Sequence, residues 1–165
     1  MRPTCRSSVE ATNTVTENAV TEIVSCSAAE TEAAGRSFGA TLRAGDVVFL
    51  IGELGAGKTT FVRGVAAACG ADNVVRSPTF ALMHRYRGSP EIVHIDLYRQ
   101  SEDAGLDDLA VEEWQGEVVT LVEWPKAFAE EFWPDAIRIE MEHRTETERF
   151  IRIFRTTGSR SRFLP

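Results

Sequence analysis

A chain of 165 residues with 43% hydrophobic and 26% charged side chains has the size and composition of one globular domain with a sizeable core. Acidic residues (25) outnumber basic ones (18) for a net charge of −7, which disfavours a broad nucleic-acid face. No DNA partner is expected, and any RNA contact has to be local or made through another protein. The longest run of large apolar residues, Val47 to Ile51, is far too short to cross a bilayer, so no membrane association is expected.

Residues 1–20 are rich in Thr, Ser, Glu, Asn and Ala and precede the first aromatic, Phe38. Such a segment buries too little to offset its ordering entropy, which predicts a disordered tail. It has arginines but no apolar stretch, so no secretory signal is expected, and Glu10 and Glu17 argue against a transit peptide. Cys5, Cys26 and Cys69 form no CxxC and are expected to be free thiols in a reducing cytoplasm, with neither disulfide nor zinc site.

Order is expected to begin at TEIVSCS, residues 21–27, as a short strand. Ser27 and Glu30 make an S-x-x-E capping box that opens a helix ending near Arg43. GDVVFLI reads as a buried strand, and GKTTFVRGVAAACG as a helix closed by Gly70. TFALMHRY and EIVHIDLY read as strands around the turn RGSP, and EDAGLDDLAVEEWQ (102–115) as a helix. EVVTLVEW is a strand halted by Pro125. AIRIEMEH and RFIRIFR alternate with period two across RTET, which predicts a hairpin. One domain over 21–157 follows, with 1–20 and 158–165 as tails. The alternation of strands and helices gives an α/β sandwich around a mixed sheet.

Between the strand at 47–51 and its helix, Gly52, Gly57, Lys58 and Thr59 satisfy G-x-x-x-x-G-K-[ST]. Glycines let successive N–H groups turn inward toward phosphate oxygens, and the helix N-terminus adds the positive end of its dipole. Lys58 would reach the β- and γ-phosphates, and Thr59 would offer a hydroxyl to Mg²⁺. Two acids that close apolar strands, Asp96 and Glu123, could each serve the metal or the attacking group. In RSPTF, the hydroxyls of Ser77 and Thr79 flank Pro78 as a loop sensing the γ-phosphate would need. His84, His94 and His143 lack metal-like spacing and read as packing or surface residues. Arg76, Arg85, Arg87 and Arg99 are scattered and read as a solvated face. No NKxD or DxxG follows the loop and no LSGGQ-like signature occurs, which disfavours an ordinary GTPase or a transporter ATPase.

GELGAGKTTFVRG, SPTF, HIDLYR and LVEWP, in this order, resemble the TsaE (YjeE) family of tRNA threonylcarbamoyladenosine biosynthesis ATPases. The resemblance runs from about Ile23 to the final hairpin. It implies a P-loop NTPase-like three-layer sandwich with a mixed, largely parallel sheet and a C-terminal β-hairpin. It further implies Mg²⁺-dependent ATP hydrolysis in a complex with TsaD and TsaB, with tRNA reached only through that complex. The modified base would be the adenosine next to the anticodon in tRNAs reading ANN codons, and ATP turnover would reset the transferase between cycles.

By position, Glu53, Leu54, Gly55, Ala56, Gly57, Lys58, Thr59 and Thr60 would wrap the phosphates, and Thr59 with Glu123 would hold Mg²⁺. Asp96 would sit beside the γ-phosphate, Thr79 would be the switch-like hydroxyl, and Trp124 would pack near the site or a partner. The resemblance also implies Ala28 beside the adenine and Arg149 approaching the nucleotide. Two other readings stand beside this one: a nucleotide-gated binding subunit with incidental hydrolysis, and a small-molecule kinase.

Overall fold

The structure is a computed structural model that describes residues 9–12, 18–71, 75–78, 81–101, 106 and 109–156. Eight strands form one sheet in the order β1-β2-β8-β7-β3-β6-β5-β4. They are β1 (Val9–Thr12), β2 (Asn18–Ser25), β3 (Val47–Ile51), β4 (Met83–Tyr86), β5 (Ile92–Asp96), β6 (Val119–Glu123), β7 (Ile137–His143) and β8 (Arg149–Thr156). The centre, β7-β3-β6-β5, is parallel, and the flanking pairs on both sides are antiparallel. The helices are α1 (Ala28–Gly39), α2 (Lys58–Ala68) and α3 (Ala127–Phe132). This is the mixed α/β architecture with a C-terminal hairpin that the motifs imply.

Strand alternation sends each sheet face to a separate core. Val48, Leu50, Ile92, Leu121 and Ile139 pack with Phe38 of α1 and Phe61 and Val65 of α2. Phe49, Val93, Ile95 and Val122 point the other way, toward Trp114, Ala129 and Trp133. The cap forms: Ser27 Oγ accepts from Glu30 N–H at 3.1 Å, while Glu30 Oε2 accepts from Cys26 N–H at 2.8 Å, one residue before the cap position of a strict capping box. At the end of α2, Ala71 N–H reaches Ala66 O and Gly70 N–H reaches Ala67 O. With Gly70 at φ +72, this is the Schellman closure expected of a glycine there.

Several expectations are corrected. Val9–Thr12 and the start of β2 fall inside the stretch read as an unstructured tail; both gain backbone partners through β2 and β8, a pairing that composition does not register. The predicted helix over 102–115 is not formed where it is described: Ala110 adopts φ +46 and a single 3-10 turn spans Val111–Glu113. Residues 102–105 and 107–108 of that segment lie outside the described residues, as does 157–165. The helix read to Arg43 ends at Gly39, and α3 was not anticipated. Cys26 is disulfide-bonded, against the expectation of free thiols; Cys69 is free and buried. No helix among the described residues is long and apolar enough to cross a membrane.

Helices α1 and α2 cross at backbone contact. A Cβ on Gly64 would lie 2.0 Å from Glu32 O, and one on Gly35 would lie 2.1 Å from Phe61 O. Such distances require the helices to separate. Gly64→Ala is expected to cost roughly 2–3 kcal/mol of overpacking, offset by about 1 kcal/mol of helix propensity. The net loss should lower the melting temperature by about 2–8 °C, readable by circular dichroism; a higher melting temperature would mean that the crossing is not this close.

Candidate functional site

The loop Gly52–Gly57 leaves the carboxyl end of central β3 and turns directly into α2. Gly57 holds φ +100 and ψ +12 as the first residue before the helix, and no side chain caps α2. A β-carbon would be strained at that φ. The uncapped N–H groups of the first turn and the helix dipole therefore converge on the hollow of the loop, a geometry that stabilises an anion.

Lys58 points into this hollow and is 4% exposed. Its ammonium donates to Gly52 O at 2.7 Å and Glu53 O at 2.8 Å and lies 4.1 Å from the centre of the Trp124 ring. Among the described residues it makes no ion pair. Burial pushes its pKa below the ordinary 10.5, against the opposing pull of the Glu123 and Asp96 charges. Trp124 reaches this position by adopting φ +56 immediately after β6, a cost for a bulky residue of a kind that clusters at functional sites. The ring also meets Tyr98 at 4.9 Å, and Tyr98 and Leu54 are the large apolar residues left exposed here.

The parallel register brings the two acids side by side, with Asp96 directly opposite Glu123. Both are buried. Glu123 Oε1 accepts from Thr59 Oγ1 at 3.0 Å and from His94 Nε2 at 3.0 Å. Asp96 Oδ1 accepts from Tyr98 N–H at 2.9 Å, and Oδ2 from Ser77 Oγ at 3.0 Å. Tyr86 Oη donates to Arg76 O at 3.0 Å, tying the same segment to β4. Thr79 lies outside the described residues.

Thr59 and Glu123 offer oxygen donors in mutual contact. Among the described residues no group of three or more histidine, cysteine or carboxylate side chains is arranged to hold a metal ion. That combination suits Mg²⁺, which keeps waters and phosphate oxygens and needs few protein ligands; it does not suit a transition metal.

The other positions singled out from the sequence divide. Ala28, Gly55, Gly57, Thr60 and Arg149 line one cleft of about 380 Å³ between the N-terminus of α1, the loop and the β7–β8 turn. Arg149 Nη1 donates to Glu146 O at 3.3 Å on its rim. Glu53 contributes its carbonyl to Lys58, Leu54 is exposed, and the Ala56 side chain is buried in the core. Of the histidines read as packing or surface residues, His94 is of the packing kind, with a polar bond that the reading did not foresee. It is fully buried, yet bonded to Glu123. The signal was its spacing two residues before Asp96, which puts both on one face of β5.

A family model described as "Threonylcarbamoyl adenosine biosynthesis protein TsaE" matches residues 25–151. The tRNA threonylcarbamoyladenosine biosynthesis protein TsaE of Bacillus subtilis is 38% identical over 139 residues, covering 82% of this chain and 85% of that protein. The Streptomyces coelicolor protein of the same name is 42% identical over 114 residues, covering 66% and 76% respectively. Among solved structures, Bacillus subtilis YdiB matches with a TM-score of 0.68 at 32% identity, over 84% of this chain and 86% of that one.

Proposed function

The chain belongs to the TsaE family, and on that premise we propose that it is the Mg·ATP-hydrolysing subunit of tRNA threonylcarbamoyladenosine biosynthesis, acting on a TsaB–TsaD complex. The observation that carries the nucleotide reading is Lys58: a buried ammonium held by two carbonyls and a ring face, beside an uncapped helix N-terminus. Burying a cation without a contact ion pair is costly, and a phosphate chain would supply that contact.

In this reading the phosphates lie along the loop and the base occupies the cleft between Ala28 and Arg149. Lys58 exchanges its carbonyl partners for phosphate oxygens and neutralises charge on the group being transferred. Thr59 keeps its proton on Glu123, which leaves its oxygen lone pairs directed outward for Mg²⁺. Thr59 and Glu123 would hold Mg²⁺, which would supply neutralisation of phosphate charge. Asp96, fixed by Ser77 and Tyr98, is the acid placed to orient a water nucleophile. No phosphoryl acceptor other than water is required, so the energy of turnover is delivered to the partner complex.

An ATPase assay with and without purified TsaB, TsaD and tRNA tests the proposal. Phosphate should appear on water, at a rate that rises when both partners are present. A rate indifferent to the partners, together with tRNA modification that survives loss of the protein, would sink it. Phosphate recovered on a metabolite would instead identify a kinase.

A further inference from the structure

The strand pair β5–β6 presents Ile92, His94 and Asp96 beside Val119, Leu121 and Glu123 on the face that meets α2. His94 is one step deeper than Asp96, opposite Leu121, with no exposed surface. From there its Nε2 reaches diagonally to Glu123 Oε1 at 3.0 Å. A carboxylate only accepts, so Nε2 is the donor in this bond. Nδ1 has no partner, and the ring packs 6.2 Å from that of Tyr86. A fully buried imidazole with one unused nitrogen is a poor filler for an apolar core, where leucine would leave nothing unsatisfied. The bond it does make explains its presence.

Both protein donors to Glu123, Thr59 Oγ1 and His94 Nε2, converge on Oε1. The carboxylate is thereby divided: Oε1 takes both hydrogen bonds from the protein and Oε2 takes none among the described residues. Because Thr59 is drawn to the same Oε1, the orientation set by His94 also fixes where the Thr59 hydroxyl points. We infer that His94 is a positioning residue that holds Glu123, and through it Thr59, in the arrangement required to receive Mg²⁺ with the nucleotide. The inference rests on the Mg·ATP reading above and adds a residue to it.

The test compares His94→Gln, whose amide nitrogen can reproduce the Nε2 donor, with His94→Asn, whose amide ends at the Nδ1 position. ATP affinity is measured for each variant with Mg²⁺ and with a chelator in its place, alongside the melting temperature. His94→Asn should lose about 10- to 100-fold of the Mg²⁺-dependent gain in affinity, the usual scale for removing an outer-shell partner. Its chelator-condition affinity should stay within about twofold, and His94→Gln should recover most of the gain. Equal losses with and without Mg²⁺, or equal behaviour of the two variants, would make His94 a structural residue and overturn the inference. If His94→Asn does not fold, His94→Leu, which fills the same buried volume without a donor, is read by the same criteria. Wild-type protein that gains no affinity from Mg²⁺ would overturn the underlying metal reading instead, whatever the variants do.

Discussion

Lys58→Ala is expected to abolish the thermal stabilisation that ATP confers on the wild-type protein. At nucleotide hundredfold above its dissociation constant, binding stabilises a fold by about 2.7 kcal/mol. For a chain of 165 residues, that is a rise of roughly 5–10 °C. Removing the ammonium leaves Gly52 O and Glu53 O without their donor and removes a buried cation that the phosphates would meet in the hollow. Tryptophan emission offers a second readout, because Trp124 stacks on Lys58 while Trp114 and Trp133 are buried in the opposite core. Turnover should fall by about 100-fold or more, the scale for losing a preorganised charge at a developing anion. A variant that keeps the full ATP-induced shift would remove Lys58 from the phosphate site.

The lowered pKa of Lys58 adds a dependence on pH with a definite sign. Below its folded value, lysine is protonated in both the folded and unfolded chains, and the cost of burying the charge is fully present. Between that value and 10.5 the unfolded chain holds more protons, so this group makes the fold more stable as pH rises. Nucleotide binding runs the opposite way, because phosphates favour the protonated form. The contribution of Lys58 to ATP affinity should be flat below its folded pKa and fall as pH rises through it, by up to tenfold per unit. Calorimetry should detect proton uptake on binding in that upper range, and Lys58→Ala should remove both effects.

The local grammar of the sequence was legible where structure is local. The cap at Ser27 and Glu30, the closure at Gly70, the strand–loop–helix around Lys58 and the final hairpin all rest on residues a few positions apart. What stayed hidden depends on distant partners. Gly35 and Gly64 look like helix weakeners until their helices are seen to touch. Val9–Thr12 has no pattern of its own and exists as a strand because β2 offers an edge. The segment 102–115 has a helical composition, but its later half closes the second core through Leu109, Val111 and Trp114, and Ala110 turns left-handed between them. Tertiary packing overrides propensity there.

In the site, the acids were visible as strand ends, whereas the division of roles between Asp96 and Glu123 was not. The bonds that separate them come from Thr59 and His94 on one side and from Ser77 and Tyr98 on the other.

That division makes Glu123→Gln the sharpest test of the metal reading. The amide oxygen can still accept from Thr59 and His94, so the local hydrogen bonds survive and the charge alone is lost. Hydrolysis should fall by about 100-fold or more, since electrostatic help from a metal is worth several kcal/mol. The Mg²⁺ concentration needed for half-maximal ATP binding should rise. Binding of metal-free ATP should be equal or tighter, because one negative charge no longer opposes the phosphates. Glu123 also raises the pKa of Lys58, so its neutralisation should move the fall in ATP affinity to lower pH. Asp96→Asn should slow hydrolysis while leaving the Mg²⁺ requirement for binding nearly unchanged, because Asp96 bonds Ser77 and the Tyr98 backbone and not Thr59. If both substitutions shifted the Mg²⁺ requirement equally, the two carboxylates would share the metal and the separate roles drawn from their hydrogen bonds would be wrong.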